Sequence, residues 1–497
     1  MTFFEAKIPP IRELRHPETA LAHGALSCPS PKQYRSQKPH ECPIFSQADR
    51  SFTQGSICPL LPALGIMCSL PKTVVLLHGA VGCGSCANGN NLNVRAGNAQ
   101  RGRSSGDVVW LSTALGELNV VGGGEAKLGE ALLEADRAFK PEVILAVSGC
   151  LPGVIGDDLD AIVARVQPQT KARLMAVHCE GFKSRFMATA YDVVYHALGR
   201  HLMPEPSKKI EKLPDTVNVM NVGSMGLVDE NELSRLLAGI GLKTNFFPVF
   251  SDPLSFHQAA AAILSVSVCP THDDYFLTRL EEQFGVPYII HHMPIGIENT
   301  RLWLTDVAER TGRQKEAKKL IIKEEKELNL ALKEFKPLLA GKTAFIAAGE
   351  YRSLATSSLL RELGFIIKGI RSFHFDQYAE VELEKLTRAN QEFIYNVANV
   401  QPFEEANLLK RNPPDIFLGH WHGNSTAARL GIPTQVIYNS GYAYLGYQGV
   451  YDLARRLHRR LSHSSFYRRL GRYASLPYRS QWYQENPFSH IRNRGVQ

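Results

Sequence analysis

The sequence predicts an α/β protein with three tandem Rossmann-like domains, each a doubly wound parallel sheet, and with an extension at either end. Short apolar runs without polar alternation recur along the chain, as in strands buried on both faces, and helical stretches separate them. This alternation of apolar runs and helical stretches begins anew at three points of the chain. A length of 497 residues gives room for three domains of about 150 residues each.

The predicted strands form three sets. The first comprises Thr73–His78, Val108–Ser112, Val143–Ser148 and Leu174–His178, with helices at Lys127–Phe139 and Asp158–Val166. The second comprises Val217–Val222, Asn245–Val249, Ile263–Val268 and Pro287–His292. The third comprises Thr343–Ala347, Phe365–Ile370, Asp415–Leu418 and Gln435–Tyr438. The Lys- and Glu-rich segment Arg313–Lys336 predicts a solvated helix between the second and third sets.

These sets fix the predicted domain boundaries. Residues 1–55 are rich in Pro, Ser and His, and we expect them to form an irregular N-terminal extension. Rossmann-like domains are expected over residues 56–215, 216–340 and 341–460, and a basic arm over residues 461–497. Ligands of such domains bind beyond the carboxyl ends of the strands.

The formal net charge of +8 is concentrated near the C-terminus, where ten arginines lie between Arg455 and Arg494 with aromatic residues among them. This pattern suits nucleic acid, an acidic partner, or a docking arm for another subunit. We favour the docking arm and expect no nucleic acid, because nothing else in the chain resembles a nucleic-acid module. No secretion signal and no run of about 20 apolar residues are visible, so we expect a cytoplasmic protein without a membrane partner.

Cysteine usage points to metal or redox chemistry. Nine cysteines in a long chain without an export signal make a disulfide framework improbable. Cys83 and Cys150 each follow a predicted strand on a glycine-rich turn, and Cys58 lies at a helix-like start. Three thiolates from three loops could hold one iron–sulfur cluster, although each could also be a buried structural cysteine.

Two further cysteine features leave alternatives open. Cys83 and Cys86 form a C-x-x-C pair, but a redox dithiol should open a helix, and here we expect the loop to continue. Cys269 follows a strand of the second domain and precedes a predicted helix, Asp273–Phe284. From its position alone, packing is the simpler interpretation of Cys269.

Five short motifs decide between these alternatives. In chain order they are His78-Gly-Ala-Val-Gly-Cys83-Gly84, Gly149-Cys150-Leu-Pro-Gly-Val-Ile-Gly156-Asp157-Asp158, Cys179-Glu180-Gly181-Phe182, Val268-Cys269 with Phe284-Gly285-Val286-Pro287, and Gly446-Tyr447-Gln448-Gly449. On these motifs, from about Cys58 to Leu457, the chain resembles the nitrogenase component 1 family and in particular its α (D-type) subunits. Any one motif would be weak, but five in order are specific.

The resemblance implies that Cys58, Cys83 and Cys150 ligate half of a P-cluster of the 8Fe-7S type. The other half would come from a K-type β subunit in an α2β2 complex. Cys269 would ligate one end of a large carbide-containing iron–sulfur cofactor. Electrons would arrive from an ATP-hydrolysing Fe-protein homologue with a 4Fe-4S cluster, and the absence of a P-loop motif from this chain agrees with ATP being handled there.

The sequence departs from the nitrogenase pattern around the cofactor. Asn91 stands where the family has an arginine, Met187 where it has a glutamine, and Tyr191 where it has a histidine. The family's histidine ligand to the molybdenum end falls on Tyr438 or Asn439. The candidate catalytic residues are therefore Met187, Tyr191 and Asn91, and the candidate cofactor-binding residues are Cys269 and Tyr438. Without that histidine, an all-iron cofactor is expected rather than a molybdenum–homocitrate one, and His374, His420 and His422 are candidate second ligands.

Within the family, the pattern is most similar to the methylthio-alkane reductase branch. That similarity implies cleavage of C–S bonds in small methylthio-alkanes with release of methanethiol, a reaction of sulfur metabolism. Met187 and Tyr191 make the site softer and more apolar, which suits a thioether. The alternatives are a cofactor-assembly scaffold, which also lacks the histidine, and a nitrogenase-like reductase of another substrate. Nitrogenase itself is disfavoured by the departures above, and a tetrapyrrole reductase by Cys269.

Overall fold

The computed structural model describes residues 6–10, 27–28, 58–104, 108–184, 187–207, 209–223, 225–373, 378–388, 392–397, 402–420, 423–437 and 441–487. The chain divides into two compact units. The first unit comprises Met1–Arg15, Ile57–Leu227 and Gly241–Ile290, and the second comprises His16–Ser56, Val228–Ile240 and His291–Gln497. Each unit is described by itself.

The strands are numbered in chain order. They are β1 Ser27–Cys28, β2 Thr73–His78, β3 Val108–Ser112, β4 Val143–Ser148, β5 Arg173–His178, β6 Leu213–Met220, β7 Lys243–Phe247, β8 Ala262–Val266, β9 Tyr288–Ile289, β10 Thr343–Ala348, β11 Ile366–Ser372, β12 Ile394–Val397, β13 Ile416–Gly419 and β14 Thr434–Val436.

The helices follow the same numbering. They are α1 Leu60–Met67, α2 Val81–Gln100, α3 Glu117–Gly122, α4 Glu125–Phe139, α5 Cys150–Ile155, α6 Leu159–Val166, α7 Thr189–Leu202, α8 Leu227–Ala238, α9 Pro253–Ala261, α10 Pro270–Phe284, α11 Ile297–Thr311, α12 Gln314–Ala331, α13 Lys336–Leu339, α14 Glu350–Glu362, α15 Ala379–Arg388, α16 Pro402–Arg411, α17 Asn424–Arg429, α18 Gly446–Ser462 and α19 Ser465–Tyr473. Short 3-10 turns occur at Gln167–Gln169, Leu332–Glu334 and Ser480–Tyr483.

The first unit contains two parallel sheets. One has the order β3-β2-β4-β5 and the other β7-β6-β8-β9. Strand β2 is buried along its whole length, as its uninterrupted apolar run predicts, and Val74, Leu76 and Ile144 belong to a core that α4 and α6 complete. Complete burial of each such side chain stabilises the fold by about 1.5–3 kcal/mol. In both sheets the strand order reverses between the two central strands, which is where ligands of doubly wound folds bind.

The second unit contains the third sheet, of order β1-β12-β11-β10-β13-β14. Its strands are parallel except for β1, which pairs antiparallel with β12. Here too the order reverses between two central strands, β10 and β13. The α/β class with three parallel sheets is thus confirmed.

Two details differ from the sequence-based expectation. Ser27–Cys28 lies in the segment expected to be irregular, yet it forms an edge strand. The segment after Cys83 is not the expected loop but the start of the long helix α2, so the C-x-x-C pair does open a helix. The basic arm is folded over its described part, since α19 begins at Ser465. Among the described residues, no helix is both long enough and apolar enough to cross a bilayer.

Candidate metal centres

The turns that carry the predicted cluster cysteines start side by side at one edge of the first sheet. The register pairs His78 with Ser148 and Ser148 with His178, so β2, β4 and β5 end level with one another. The Gly149 amide donates to the His78 carbonyl at 2.9 Å, and the Cys179 amide donates to the Ser148 carbonyl at 3.2 Å. This ladder holds the three turns together where β2 and β4 meet, which is the point of strand-order reversal.

Two of the predicted ligands converge on one glycine. An ideal Cβ on Gly181 would lie 3.0 Å from the Cys58 Sγ and 3.5 Å from the Cys150 Sγ. Cys58 lies just before α1, and Cys150 is the first residue of α5. Both thiols therefore approach the backbone after β5 so closely that a side chain at position 181 would crowd them.

Cys83 follows a turn at the same edge of the sheet. It lies in the first turn of α2, and the turn that leads to it contacts the Cys150 turn, since an ideal Cβ on Gly79 would lie 3.9 Å from the Gly149 Cα. Cys58, Cys83 and Cys150 are all partly exposed, and none is part of a disulfide. The three thiols thus come from three chain segments that meet at one open edge.

A buried carboxylate lies beneath this edge. Glu180 accepts a hydrogen bond from the Ser148 hydroxyl at 2.9 Å and pairs with Lys183 at 3.1 Å and with His178 at 3.5 Å. Burial alone would raise the pKa of Glu180, but these partners hold it at about 2. Burial would likewise lower the pKa of His178, yet its bonds to Asp160 and Glu180 raise that pKa to about 9. The pair is ionised at neutral pH.

A second buried hydrogen-bond network holds the segments that follow β2 and β3. His78 Nδ1 lies 3.1 Å from the Thr113 hydroxyl, and its Nε2 lies 2.9 Å from Asp157, which also accepts from the Gly124 amide. Burial lowers the pKa of His78 in spite of the nearby carboxylate. The Gly-Asp-Asp tail of the Cys150 motif is therefore tied to the ends of β2 and β3. His78 and Glu180 belong to two of the five sequence motifs, but the sequence assigns a role to neither of them.

Cys269 is in a different setting from the other three cysteines. It caps the N-terminus of α10 at the carboxyl edge of the second sheet and is 4% exposed. Its amide donates to Asp273 at 3.1 Å and to the Ser267 hydroxyl at 3.0 Å. Asp273 also accepts from the Ser267 hydroxyl at 2.6 Å and from the Val268 amide at 3.1 Å. Burial raises the pKa of Asp273 to about 7, against the opposing effect of these hydrogen bonds.

A cluster of packed aromatic rings lies in the same unit as Cys269. Tyr191 on α7 stacks on His272 of α10 with ring centroids 3.7 Å apart, and Tyr195 meets Tyr191 edge-on at 5.7 Å. Met187 is half-buried one turn before Tyr191, and its carbonyl accepts from the Ala190 amide at 3.0 Å. His272 belongs to this cluster and lies three residues after Cys269, so the cluster is next to the turn that carries the thiol.

Several of the predicted residues fall outside the described part of the chain. They are His374, His422 and Tyr438, together with the side chain of Asn91, whose backbone belongs to α2. His420 is described. It is half-buried after β13 in the second unit, and its amide donates to the Ala347 carbonyl at 2.9 Å.

The donor chemistry of the edge suits a cluster better than a single ion. Over the described ranges, no three His, Cys, Asp or Glu side chains converge closely enough to hold one metal ion. A polynuclear cluster is wider than an ion, and thiolates are its usual ligands. Cys58, Cys83 and Cys150, spread along one edge with a side-chain-free glycine between two of them, fit such a group.

A family model described as "Nitrogenase component 1 type Oxidoreductase" matches residues 58–462. The chain belongs to this family. Nitrogenase component 1 proteins bind iron–sulfur clusters, so family membership agrees with the thiol-lined edge described above. Such proteins also assemble with β subunits and work with an Fe protein.

The chain is similar to curated proteins of at least two kinds. The chain is 28% identical over 426 residues to the nitrogenase iron-molybdenum cofactor biosynthesis protein NifE of Methanococcus maripaludis, covering 82% of this chain and 85% of that protein. It is 25% identical to the NifE protein of Clostridium pasteurianum, covering 83% and 89%. It is also 28% identical over 330 residues to the nitrogenase molybdenum-iron protein alpha chain of Methanosarcina barkeri, covering 65% and 61%.

Solved nitrogenase structures share the fold. "Nitrogenase Cp1 at pH 5" superposes with a TM-score of 0.69 at 21% identity, covering 84% of this chain and 91% of that one. "Nitrogenase Cp1 at pH 6.5" gives the same TM-score at 20% identity, with coverage of 88% and 94%. At these identities the likeness concerns the nitrogenase component 1 fold alone.

Proposed function

We propose that this chain is the cluster-bearing subunit of a nitrogenase-type complex and that it serves there as a scaffold for assembly of a large iron–sulfur cofactor. In this proposal Cys58, Cys83 and Cys150 hold half of a P-cluster-like group that a β subunit completes, and Cys269 holds one end of the cofactor. The observation that carries the proposal is the enclosed thiol of Cys269, whose turn is held by the hydrogen bonds of Asp273.

A missing histidine has a physical consequence for cofactor release. Between His422 and Gly446, where the resemblance to nitrogenase implies a histidine ligand of the cofactor, the sequence contains no histidine. A cofactor held mainly through one thiolate is easier to release than one held at both ends, and release is what a scaffold requires. The NifE proteins of Methanococcus maripaludis and Clostridium pasteurianum, which are named for cofactor biosynthesis, match 82% and 83% of this chain, and this supports the choice.

Partner docking is part of the same proposal. Apolar side chains stand exposed around the cysteine edge: Val81 at 58%, Leu118 at 89%, Val121 at 91%, Val154 at 72% and Phe182 at 55%. Exposed apolar groups gathered at one edge mark an interaction surface. A β subunit and an Fe-protein homologue are the partners we expect to cover them.

A second candidate is a reductase of small methylthio-alkanes. The observation in its favour is Met187, a soft apolar side chain one turn from Tyr191, in place of hydrogen-bonding groups. The reaction would break one C–S bond of ethyl methyl sulfide. Two electrons from the Fe-protein partner and two protons would convert it to ethane and methanethiol, and the cluster would return to its starting state.

One experiment separates the two functions. The complex, purified anaerobically with its Fe-protein partner, receives ATP, dithionite and ethyl methyl sulfide. A scaffold releases no methanethiol beyond the amount of protein and transfers iron to a cofactor-free nitrogenase component 1. An enzyme makes methanethiol over many turnovers and keeps its iron.

The cofactor site has its own test. Cys269→Ala should lower the iron content and remove the cofactor signal in electron paramagnetic resonance, while the P-cluster signal and the α–β complex persist. Cys68→Ala is the matched control, because Cys68 is equally buried in the same unit and burial raises the pKa of its thiol to about 12, which disfavours a ligand. Unchanged iron and signals in Cys269→Ala would disprove the assignment.

A further inference from the structure

The positive charge of the protein is concentrated in one folded segment of the second unit. Residues 453–484 contain eight arginines, no lysine and no acidic residue, so this segment alone has a formal charge of +8, equal to that of the whole chain. The arginines are Arg455, Arg456, Arg459, Arg460, Arg468, Arg469, Arg472 and Arg479. Nothing in the proposed cluster chemistry uses them.

Contacts of α19 and of Trp482 with the rest of the second unit show that this segment is structured. On the inner face of α19, the Tyr467 hydroxyl lies 3.3 Å from the Thr434 carbonyl, and an ideal Cβ on Gly471 would lie 2.6 Å from the Gly431 Cα. Further on, the Trp482 indole donates to the Phe403 carbonyl at 2.8 Å. The inner face of α19 is therefore fixed, and its outer face is presented in a definite geometry.

That outer face combines aromatic and cationic groups. Phe466 is 64% exposed and Tyr473 is 89% exposed, and Arg468, Arg469 and Arg472 are exposed between them. Phe466, Arg469 and Tyr473 are spaced i, i+3 and i+7, so they form one stripe along the helix. Across the residues that the structure describes, no carboxylate pairs with Arg468, Arg469 or Arg472.

We propose that this outer face of α19, with Phe466 and Tyr473 as anchors and Arg468, Arg469 and Arg472 beside them, docks an amphipathic helix of a protein partner whose apolar stripe is flanked by carboxylates. Residues spaced i, i+3 and i+7 lie on one face of a helix, and such a face is what packs against a partner helix. Exposed arginine and aromatic side chains without lysine have the composition of a protein interface. The planar guanidinium binds a carboxylate through two parallel hydrogen bonds, which lysine cannot do.

The probe for this surface is a short fluorescent peptide, an amphipathic helix with leucine on one face and glutamate flanking it. Its comparators are the same peptide with lysine for glutamate, the same peptide with serine for leucine, a single-stranded RNA oligonucleotide and vesicles that contain phosphatidylserine. Binding to the full-length protein is measured by fluorescence anisotropy and, for vesicles, by co-sedimentation, at physiological ionic strength, where distant charges are screened.

The proposal expects the glutamate–leucine peptide to bind best. Phe466→Ala with Tyr473→Ala should weaken that binding by about tenfold or more. Substitution of lysine for Arg468, Arg469 and Arg472 should also weaken it although the charge is unchanged. Ile322→Ala with Leu330→Ala, which removes equally exposed apolar groups from α12, should have no effect.

Three outcomes overturn the proposal. In the first, RNA or vesicles bind at least as tightly as the acidic peptide and the aromatic substitutions change nothing, which identifies a polyanion surface instead. In the second, the lysine variants bind as well as the original protein, so only net charge matters. In the third, no peptide binds. Circular dichroism confirms that each variant remains folded.

Discussion

A methyl group at position 181 tests the cluster assignment most directly. Gly181→Ala would place its Cβ 3.0 Å from the Cys58 Sγ and 3.5 Å from the Cys150 Sγ. Carbon contacts are most favourable at about 3.5–4.0 Å, and sulfur is larger than carbon, so the Cys58 thiol must move by about half an ångström or more. If Cys58 and Cys150 ligate one cluster, this movement separates a ligand from its metal.

The cost follows from the same contacts. Overpacking in a well-packed site typically costs about 1–3 kcal/mol. Because the backbone near Gly181 is held by the buried Glu180 pair, the strain falls on the thiols rather than on the turn. At about 1.4 kcal/mol for each factor of ten, cluster affinity should fall roughly tenfold to a hundredfold.

The assay is iron per protein and the cluster signal in electron paramagnetic resonance, after anaerobic purification and brief exposure to a chelator. Gly129→Ala is the matched control, because Gly129 lies within α4 and its Cβ would meet Val166 at an ordinary 3.8 Å. Gly181→Ala should lose iron faster than the control. Equal iron retention and identical signals in the two variants would show that Cys58 and Cys150 are not ligands of one cluster.

Three further predictions concern buried carboxylates. Glu180→Gln should lower the free energy of unfolding by about 3 kcal/mol between pH 4.5 and 6.5, measured by denaturant titration. The loss should shrink as pH falls toward 2, where Glu180 protonates, and as pH rises through 9, where His178 loses its proton. Asp273→Ala should remove the iron bound at Cys269. Asp273→Asn retains an acceptor oxygen and should keep that iron. Equal loss of iron in the two Asp273 variants would contradict a positioning role for Asp273. Glu405→Gln removes the negative charge that neutralises the buried Arg371 and should destabilise the second unit by about 3–5 kcal/mol, with cluster signals unchanged.

The sheets are predictable from the sequence because their strands are buried on both faces. The run Thr73–His78 matches β2 in full, and the strand Val143–Ser148 matches β4. Parallel strands end at one edge, so the positions of Cys83 and Cys150 after two such strands predict that they are neighbours. The contact between the Gly79 and Gly149 turns agrees with that prediction.

Helix α2 shows where local sequence reasoning fails. Its glycine- and asparagine-rich sequence has poor helix propensity and predicts a loop. Tertiary contacts reverse that preference. An ideal Cβ on Gly97 would lie 2.5 Å from the Phe250 ring, and Arg101 lies over the same ring at 3.9 Å, so the missing side chain at Gly97 is what lets the ring pack on the helix. A residue so far away in sequence leaves no local signal.

The polar groups around the thiols are equally hidden in the sequence. Glu180 and His178 flank Cys179, and the motif draws attention to the cysteine, although the carboxylate makes the hydrogen bonds. Asp273 lies four residues after Cys269, a spacing that suits a side chain folding back on a helix N-terminus. Such partners are defined by three-dimensional contacts, and a single sequence does not distinguish them from ordinary surface charges.

The two thiol sites differ in exposure, and the difference bears on how the protein would work. Cys58, Cys83 and Cys150 are partly open at an edge bordered by Leu118 and other exposed apolar groups, whereas Cys269 is 4% exposed. A group shared with another subunit must be reachable from outside, and one that holds reactive iron must be shielded from water and oxygen. In the proposed function, the open edge therefore suits a cluster shared with a β subunit, and the enclosed thiol of Cys269 suits a cofactor that is shielded until it is transferred.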